Sequence, residues 1–257
     1  MLHHIRAVAA PVIVTMALSM APSHAVISHK TQKKPVLLIV FAASSLTESF
    51  TSLGRQFEQA HPGTRIQFSF LSSPALATQL IEGAPADVFA SASIKDMATV
   101  VDRVSKSYLF AANRVVLAIP RANPLRIKRV QDLNKPNVKW IACAHQVPCG
   151  VAADAALAAE GTVKSKPISL ESKATSVVTK IIAGEVDAAI VYRTDIVANR
   201  KFLREIPFKN SEAAITKYPI GVVKKSAHPA LAKAFVDLVL SIKGLKLLSR
   251  AGFDRAK

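Results

Sequence analysis

Val36-Leu37-Leu38-Ile39-Val40-Phe41-Ala42-Ala43-Ser44-Ser45-Leu46-Thr47-Glu48-Ser49-Phe50 decides how the rest of the chain is read. Its first five residues are an apolar run fit for a strand. Leu46, Phe50, Leu53 and Phe57 then recur at helical spacing on one face. Ser45 and Glu48 have the S-x-x-E spacing of a capping box, which predicts Ser45 as the N-cap. A strand that turns through small residues into a helix start leaves backbone N–H groups aimed outward, and that is an anion site in waiting. Two readings of Ser45 stand at this point: a cap and nothing more, or a ligand.

The same arrangement returns further along. Ile66, Phe68 and Phe70 alternate with Arg65, Gln67 and Ser69 as a strand, and Ser73-Pro74 follows as a helix start, with Ser73 the expected N-cap. Val88 to Ser91 reads as a third strand, and the helix after it should turn Met97, Val100, Val101 and Val104 inward. Trp140 to Ala144 is a buried strand that enters an Ala-rich helix through Val147-Pro148-Cys149-Gly150. Ile168 to Glu171 precedes a helix opening at Ser172-Lys173-Ala174-Thr175-Ser176, closed by Gly184, and Asp187 to Tyr192 is a strand that ends in a tyrosine. Alternation of strand and helix over this length gives an α/β class with largely parallel sheets. Two lobes joined by crossing strands near Asn113 and Tyr218 would place a ligand between them, at the carboxyl ends of the strands.

Composition bounds the possibilities. Met1 to Ala25 has the anatomy of an export signal: a short n-region with Arg6, an apolar stretch from Ala7 to Met20, and Ser23-His24-Ala25 for cleavage. The apolar stretch is too short to span a bilayer, and no later one is longer. The net charge of +17 gathers in the second half, because residues 41–100 hold Arg55, Arg65 and Lys95 against Glu48, Glu58, Glu82, Asp87 and Asp96. The cations are scattered and only 6% of residues are aromatic, so a basic solvated surface is expected rather than a nucleic-acid partner. Cys143 and Cys149 are the only cysteines, and in an oxidising compartment such a pair is read as a disulfide. G-x-S-x-G, H-E-x-x-H and phosphate-loop motifs are all missing, and no catalytic residue is assigned.

In order, FAASSL, SFLSSPALATQLIEGAPADVFASA, VPCG and IVY resemble the periplasmic molybdate-binding proteins of molybdate ABC transporters, from about Val36 to Phe253. The resemblance implies a periplasmic-binding-protein-like fold of type II: two lobes, each a mostly parallel sheet flanked by helices, closing on an oxyanion. It places lobe I at residues 35–112 and 216–257, and lobe II at 113–215. It implies that Ser45 and Ser73 bind through hydroxyl and amide, Cys149 and Ala174 through backbone N–H, and Tyr192 through its phenol. Thr175 is the neighbouring alternative to Ala174. Molybdenum would be held as its oxyanion, molybdate or tungstate, with no direct metal coordination and no cofactor. The implied setting is a periplasmic monomer serving a membrane permease.

The residues agree with that implication. FAASSL, FLSSPAL and VPCG contain no Lys or Arg in a basic chain, which suits a dianion held by helix N-termini and neutral donors. Fixed donors also reject a protonated oxyanion, whose O–H would meet an N–H. Three features depart from the family pattern. Pro74 stands where a polar residue is usual, Lys173 and Arg193 flank the fourth and fifth positions, and the net charge is high. A binding protein for sulfate or phosphate on the same fold is the alternative.

Overall fold

A computed structural model describes residues 34–209 and 211–256. The segment read as an export signal lies outside the described residues.

Strand β1 (Val36–Ala43) runs three residues beyond the apolar run, because Phe41-Ala42-Ala43 are small or apolar enough to stay in the sheet. A single 3-10 turn at Ser44–Leu46 leads into α1 (Thr47–Ala60), whose Phe50, Leu53 and Phe57 are buried along with Leu46. Next come β2 (Thr64–Leu71), α2 (Ser73–Ile81), β3 (Val88–Ala90) and α3 (Ile94–Ala98). The last is shorter than the spacing predicts: Met97, Val100 and Val104 are buried, but Val101 points to solvent at 65% exposure. Strand β4 (Tyr108–Asn113) was not legible, since its buried half is Phe-Ala-Ala-Asn without alternation. It passes through Arg114 alone into β5 (Val115–Pro120).

The middle of the chain builds β6 (Trp140–Cys143), α4 (Pro148–Glu160), β7 (Ser169–Glu171), α5 (Ala174–Ile182), β8 (Ala188–Tyr192), α6 (Arg193–Ala198) and β9 (Leu203–Ile206). The return strand β10 (Thr216–Val222) and helices α7 (Pro229–Leu240) and α8 (Ile242–Arg250) complete it.

Two five-stranded sheets result, in the orders β2-β1-β3-β10-β4 and β7-β6-β8-β5-β9. Strands β1, β2 and β3 are mutually parallel, as are β6, β7 and β8, and one reversed strand, β10 or β5, sits in each sheet. The fold is the two-lobed, mostly parallel α/β arrangement of type II. Each lobe has its own core. Phe50, Phe57, Phe110 and Phe235 cluster in the first, with Phe50 and Phe235 edge to face at 5.8 Å. The second is aliphatic around Leu117, Ile141, Val177 and Ile181, with Trp140 buried at the foot of β6 and its indole N–H donating to Ser165 Oγ at 3.0 Å. In both sheets the second strand in the order, β1 or β6, lies between two parallel neighbours whose helices follow at the same end. That end is where a ligand site is expected in open α/β sheets.

Candidate functional site

Four strand ends deliver four helix starts to one place. The first is the 3-10 turn after β1. The predicted capping box does not form: the N-cap of α1 is Leu46, with no side-chain cap bond. The prolonged strand and the inserted turn move the helix start past Ser45, and Thr47 Oγ1 donates to Ser44 O at 2.7 Å instead. Released from capping, Ser45 Oγ lies 2.9 Å from the Tyr218 phenol oxygen. The second start is also shifted by one residue. Ser72 is the N-cap of α2, Ser73 its first helical residue and Pro74 the next. Ser73 is buried, and its Oγ accepts the Ala92 N–H at 2.9 Å.

The other two starts are on the second sheet. Val147 is the N-cap of α4 and Cys149 lies in its first turn, tied back to the end of β6 by the Cys143–Cys149 disulfide. Gly150 makes this close approach possible, since a Cβ there would sit 1.9 Å from the Ala144 carbonyl oxygen. Lys173 is the N-cap of α5 and Ala174 its first residue. Tyr192, the last residue of β8, is 1% exposed, and its phenol oxygen is 3.2 Å from Thr216 Oγ1.

Ser45, Ser73, Cys149, Ala174 and Tyr192 all line one small cleft. Thr175, the alternative to Ala174, faces a larger neighbouring recess together with Thr179 and Asn199. Of the two cations that flank the motifs, Lys173 is half-buried and, among the described residues, is the only Lys or Arg in the cleft wall. Arg193 turns away toward Glu205, with Nε and Oε1 4.0 Å apart.

The electrostatics favour donors over anions. Burial raises the phenols of Tyr192 and Tyr218 above the ordinary tyrosine range, so both keep their protons. Burial also pushes the Asp195 carboxyl up to about 7, although the Tyr192 N–H donates to it at 3.0 Å. Among the described residues, no group of three or more His, Cys, Asp or Glu side chains could hold a metal ion. What the cleft offers is hydroxyls and the N–H groups of helix first turns, with Lys173 in its wall.

Sequence reasoning missed the layer behind these groups. Tyr218, Asn113, Thr194 and Thr216 are buried, and Asn113 Nδ2 donates to Thr194 Oγ1 at 2.9 Å and faces the Tyr218 oxygen at 3.5 Å. The signal was available: three of the four polar residues sit at the two crossings between the sheets, where connections alone would need none.

The model of the family described as bacterial extracellular solute-binding protein matches residues 38–254. The molybdate-binding protein ModA of Mycobacterium tuberculosis is 37% identical over 225 residues, 85% of this chain and 84% of that one. The molybdate-binding protein ModA of Escherichia coli is 28% identical over 232 residues, 84% of this chain and 88% of its own. Among solved structures, the periplasmic molybdate-binding protein of Azotobacter vinelandii superposes with a TM-score of 0.76 at 19% identity, over 86% of this chain and 100% of that chain. The sulfate-binding protein SubI of Mycobacterium tuberculosis does so at 0.74 and 17%, over 86% and 88%.

Proposed function

The chain belongs to the bacterial extracellular solute-binding protein family, and from that premise we propose that it captures molybdate, and tungstate with similar affinity, for an ABC importer. It works in the periplasm as a monomer that hands its ligand to the membrane permease, and it catalyses no reaction. Residues 35–112 and 216–257 form one lobe and residues 113–215 the other. The oxyanion sits between them on Ser45, Ser73, Cys149, Ala174 and Tyr192. The observation that carries the reading is the convergence of these five residues, far apart in the chain, on one small cleft. The names of the relatives support it independently.

The chemistry follows from the donor set. Each hydrogen bond to a charged group contributes about 1.5–3 kcal/mol, so six or seven of them leave a tight complex after ordering costs. The N–H groups at helix starts are already oriented, which limits that cost, and the partial positive charge there favours an anion. Rigid elements also set a minimum cleft size, and a smaller sulfate cannot meet every donor at once. Lys173 favours one other reading, a site for sulfate or phosphate in which the ammonium supplies part of the charge.

Calorimetric titration of the mature protein with molybdate, tungstate, sulfate and phosphate decides between them. Molybdate and tungstate should bind alike, and sulfate at least a thousandfold more weakly, about 4 kcal/mol. Comparable affinities for sulfate and molybdate would transfer the assignment to the sulfate reading.

A further inference from the structure

The three hydroxyls of the cleft do not stand alone. Ser73 Oγ accepts the Ala92 N–H at 2.9 Å, and an amide can only donate, so the direction of that bond is certain. Ser45 Oγ faces the Tyr218 phenol at 2.9 Å, and the Tyr192 phenol faces Thr216 Oγ1 at 3.2 Å. The direction of the Ser45 bond can be read from what stands behind Tyr218. Asn113 Oδ1 accepts the Arg114 N–H at 3.0 Å, which identifies its other terminus as the NH2 group. That NH2 faces the Tyr218 oxygen at 3.5 Å. With an N–H pointed at its oxygen, Tyr218 has its own proton to give, and Ser45 Oγ at 2.9 Å is the nearest hydroxyl to take it.

We propose that an outer pair of donors, the Ala92 amide and the Tyr218 phenol, takes one acceptor position of Ser73 and of Ser45 from behind the cleft, which biases both hydroxyls to donate into it. Tyr218 is then a positioning residue for selectivity. It touches no ligand, and it favours the orientation of the Ser45 proton that suits a fully deprotonated oxyanion. A serine without that neighbour can rotate its hydroxyl and accept from a protonated ligand. The burial that keeps both phenols protonated is consistent with this role.

The inference rests on the oxyanion site proposed above, and a double-mutant cycle tests it separately. Tyr218→Phe, Ser45→Ala and the double variant are titrated with molybdate and with phosphate, which keeps at least one proton near neutral pH. Tyr218→Phe should weaken molybdate about tenfold in the wild-type background, the scale of one net hydrogen bond, and less than twofold in Ser45→Ala. It should also narrow the gap between molybdate and phosphate, which a general loosening of the site would not do. An equal loss in both backgrounds, or an unchanged gap, overturns the proposal. If thermal unfolding shows that Tyr218→Phe does not fold, the cycle of Asn113→Ala with Ser45→Ala decides by the same criteria, because Asn113 is the group that orients Tyr218. A wild-type chain that binds sulfate but not molybdate refutes the molybdate assignment alone, and the cycle is then run with sulfate against phosphate. Wild-type protein that binds none of these anions refutes the cleft reading and this inference with it.

Discussion

The two walls of the cleft are built by the same local geometry, a strand end turning into a helix start, yet they present different chemistry. The wall from the first sheet brings side chains: Ser45 and Ser73, each with its hydroxyl held by a neighbour. On the opposite wall β8 brings the Tyr192 phenol, but the helix starts α4 and α5 bring Cys149 and Ala174, residues with no hydroxyl and only a backbone N–H to donate. A side-chain donor is lost by changing one atom. A backbone donor survives most substitutions and is lost only when the backbone moves. The first wall is therefore sensitive to residue identity and the second, Tyr192 apart, to packing.

Gly150→Ala should have the largest effect, because its new methyl would meet the Ala144 carbonyl oxygen at 1.9 Å, backbone that no rotamer change can clear. Overpacking of this kind costs about 3 kcal/mol, and thermal unfolding with molybdate titration should show stability and affinity falling together. If affinity holds while stability falls, the second wall is less dependent on packing than stated. On the first wall, Ser45→Ala and Ser73→Ala should each lose about 1.5–3 kcal/mol of molybdate affinity while unfolding temperatures change little, and Tyr192→Phe, the side-chain donor of the second sheet, should lose a similar amount.

Replacing Cys143 and Cys149 together by Ala should remove about 2 kcal/mol of stability, the scale for a short closed loop. The variant should still bind, because the donor at that position is backbone. A complete loss of binding would mean that the bridge, and not the helix start, holds the amide in place.

The smaller effects are electrostatic. Asp195 has a folded pKa of about 7 against an ordinary 3.8. Its contribution to stability is therefore full below the ordinary carboxylate value and is lost as pH rises from there to 7, by about 1 kcal/mol per pH unit between pH 5 and 7. Asp195→Asn should flatten that part of the stability profile, and an unchanged slope would show the carboxyl already ionised. Last comes Lys173→Gln, expected to weaken molybdate by about 0.5 kcal/mol in a way that salt removes. A loss of several kcal/mol at high salt would make Lys173 a direct ligand and favour the sulfate or phosphate reading.

Much of this was legible in the chain because the motifs are local. FAASSL, FLSSPAL and VPCG each put small residues between a strand and a helix, and periodicity located Leu46, Phe50, Leu53 and Phe57 correctly. What failed was set by backbone continuation or distant partners. Ser45 looks like a cap because S-x-x-E is a local rule; its hydroxyl goes instead to Tyr218, 173 residues away. Ser73 was read one position early for a similar reason, its hydroxyl being engaged by Ala92 across the sheet. Strand β4 gave no alternation because both its faces are covered at the inner end. The layer of Asn113, Thr216 and Tyr218 escaped notice because each reads, alone, as an ordinary polar residue in a short strand.

The placement of the aromatic rings has a practical consequence for spectroscopy. The chain has one tryptophan and three tyrosines. Trp140 is buried at the end of β6 remote from the cleft, whereas the Tyr192 and Tyr218 rings meet beside it, 6.3 Å apart. Indole emission should therefore follow the melting of the second sheet and stay nearly silent during titration. Near-ultraviolet absorption of the two phenols should report ligand arrival. One sample thus carries two intrinsic optical channels, one for unfolding and one for occupancy, without an added dye.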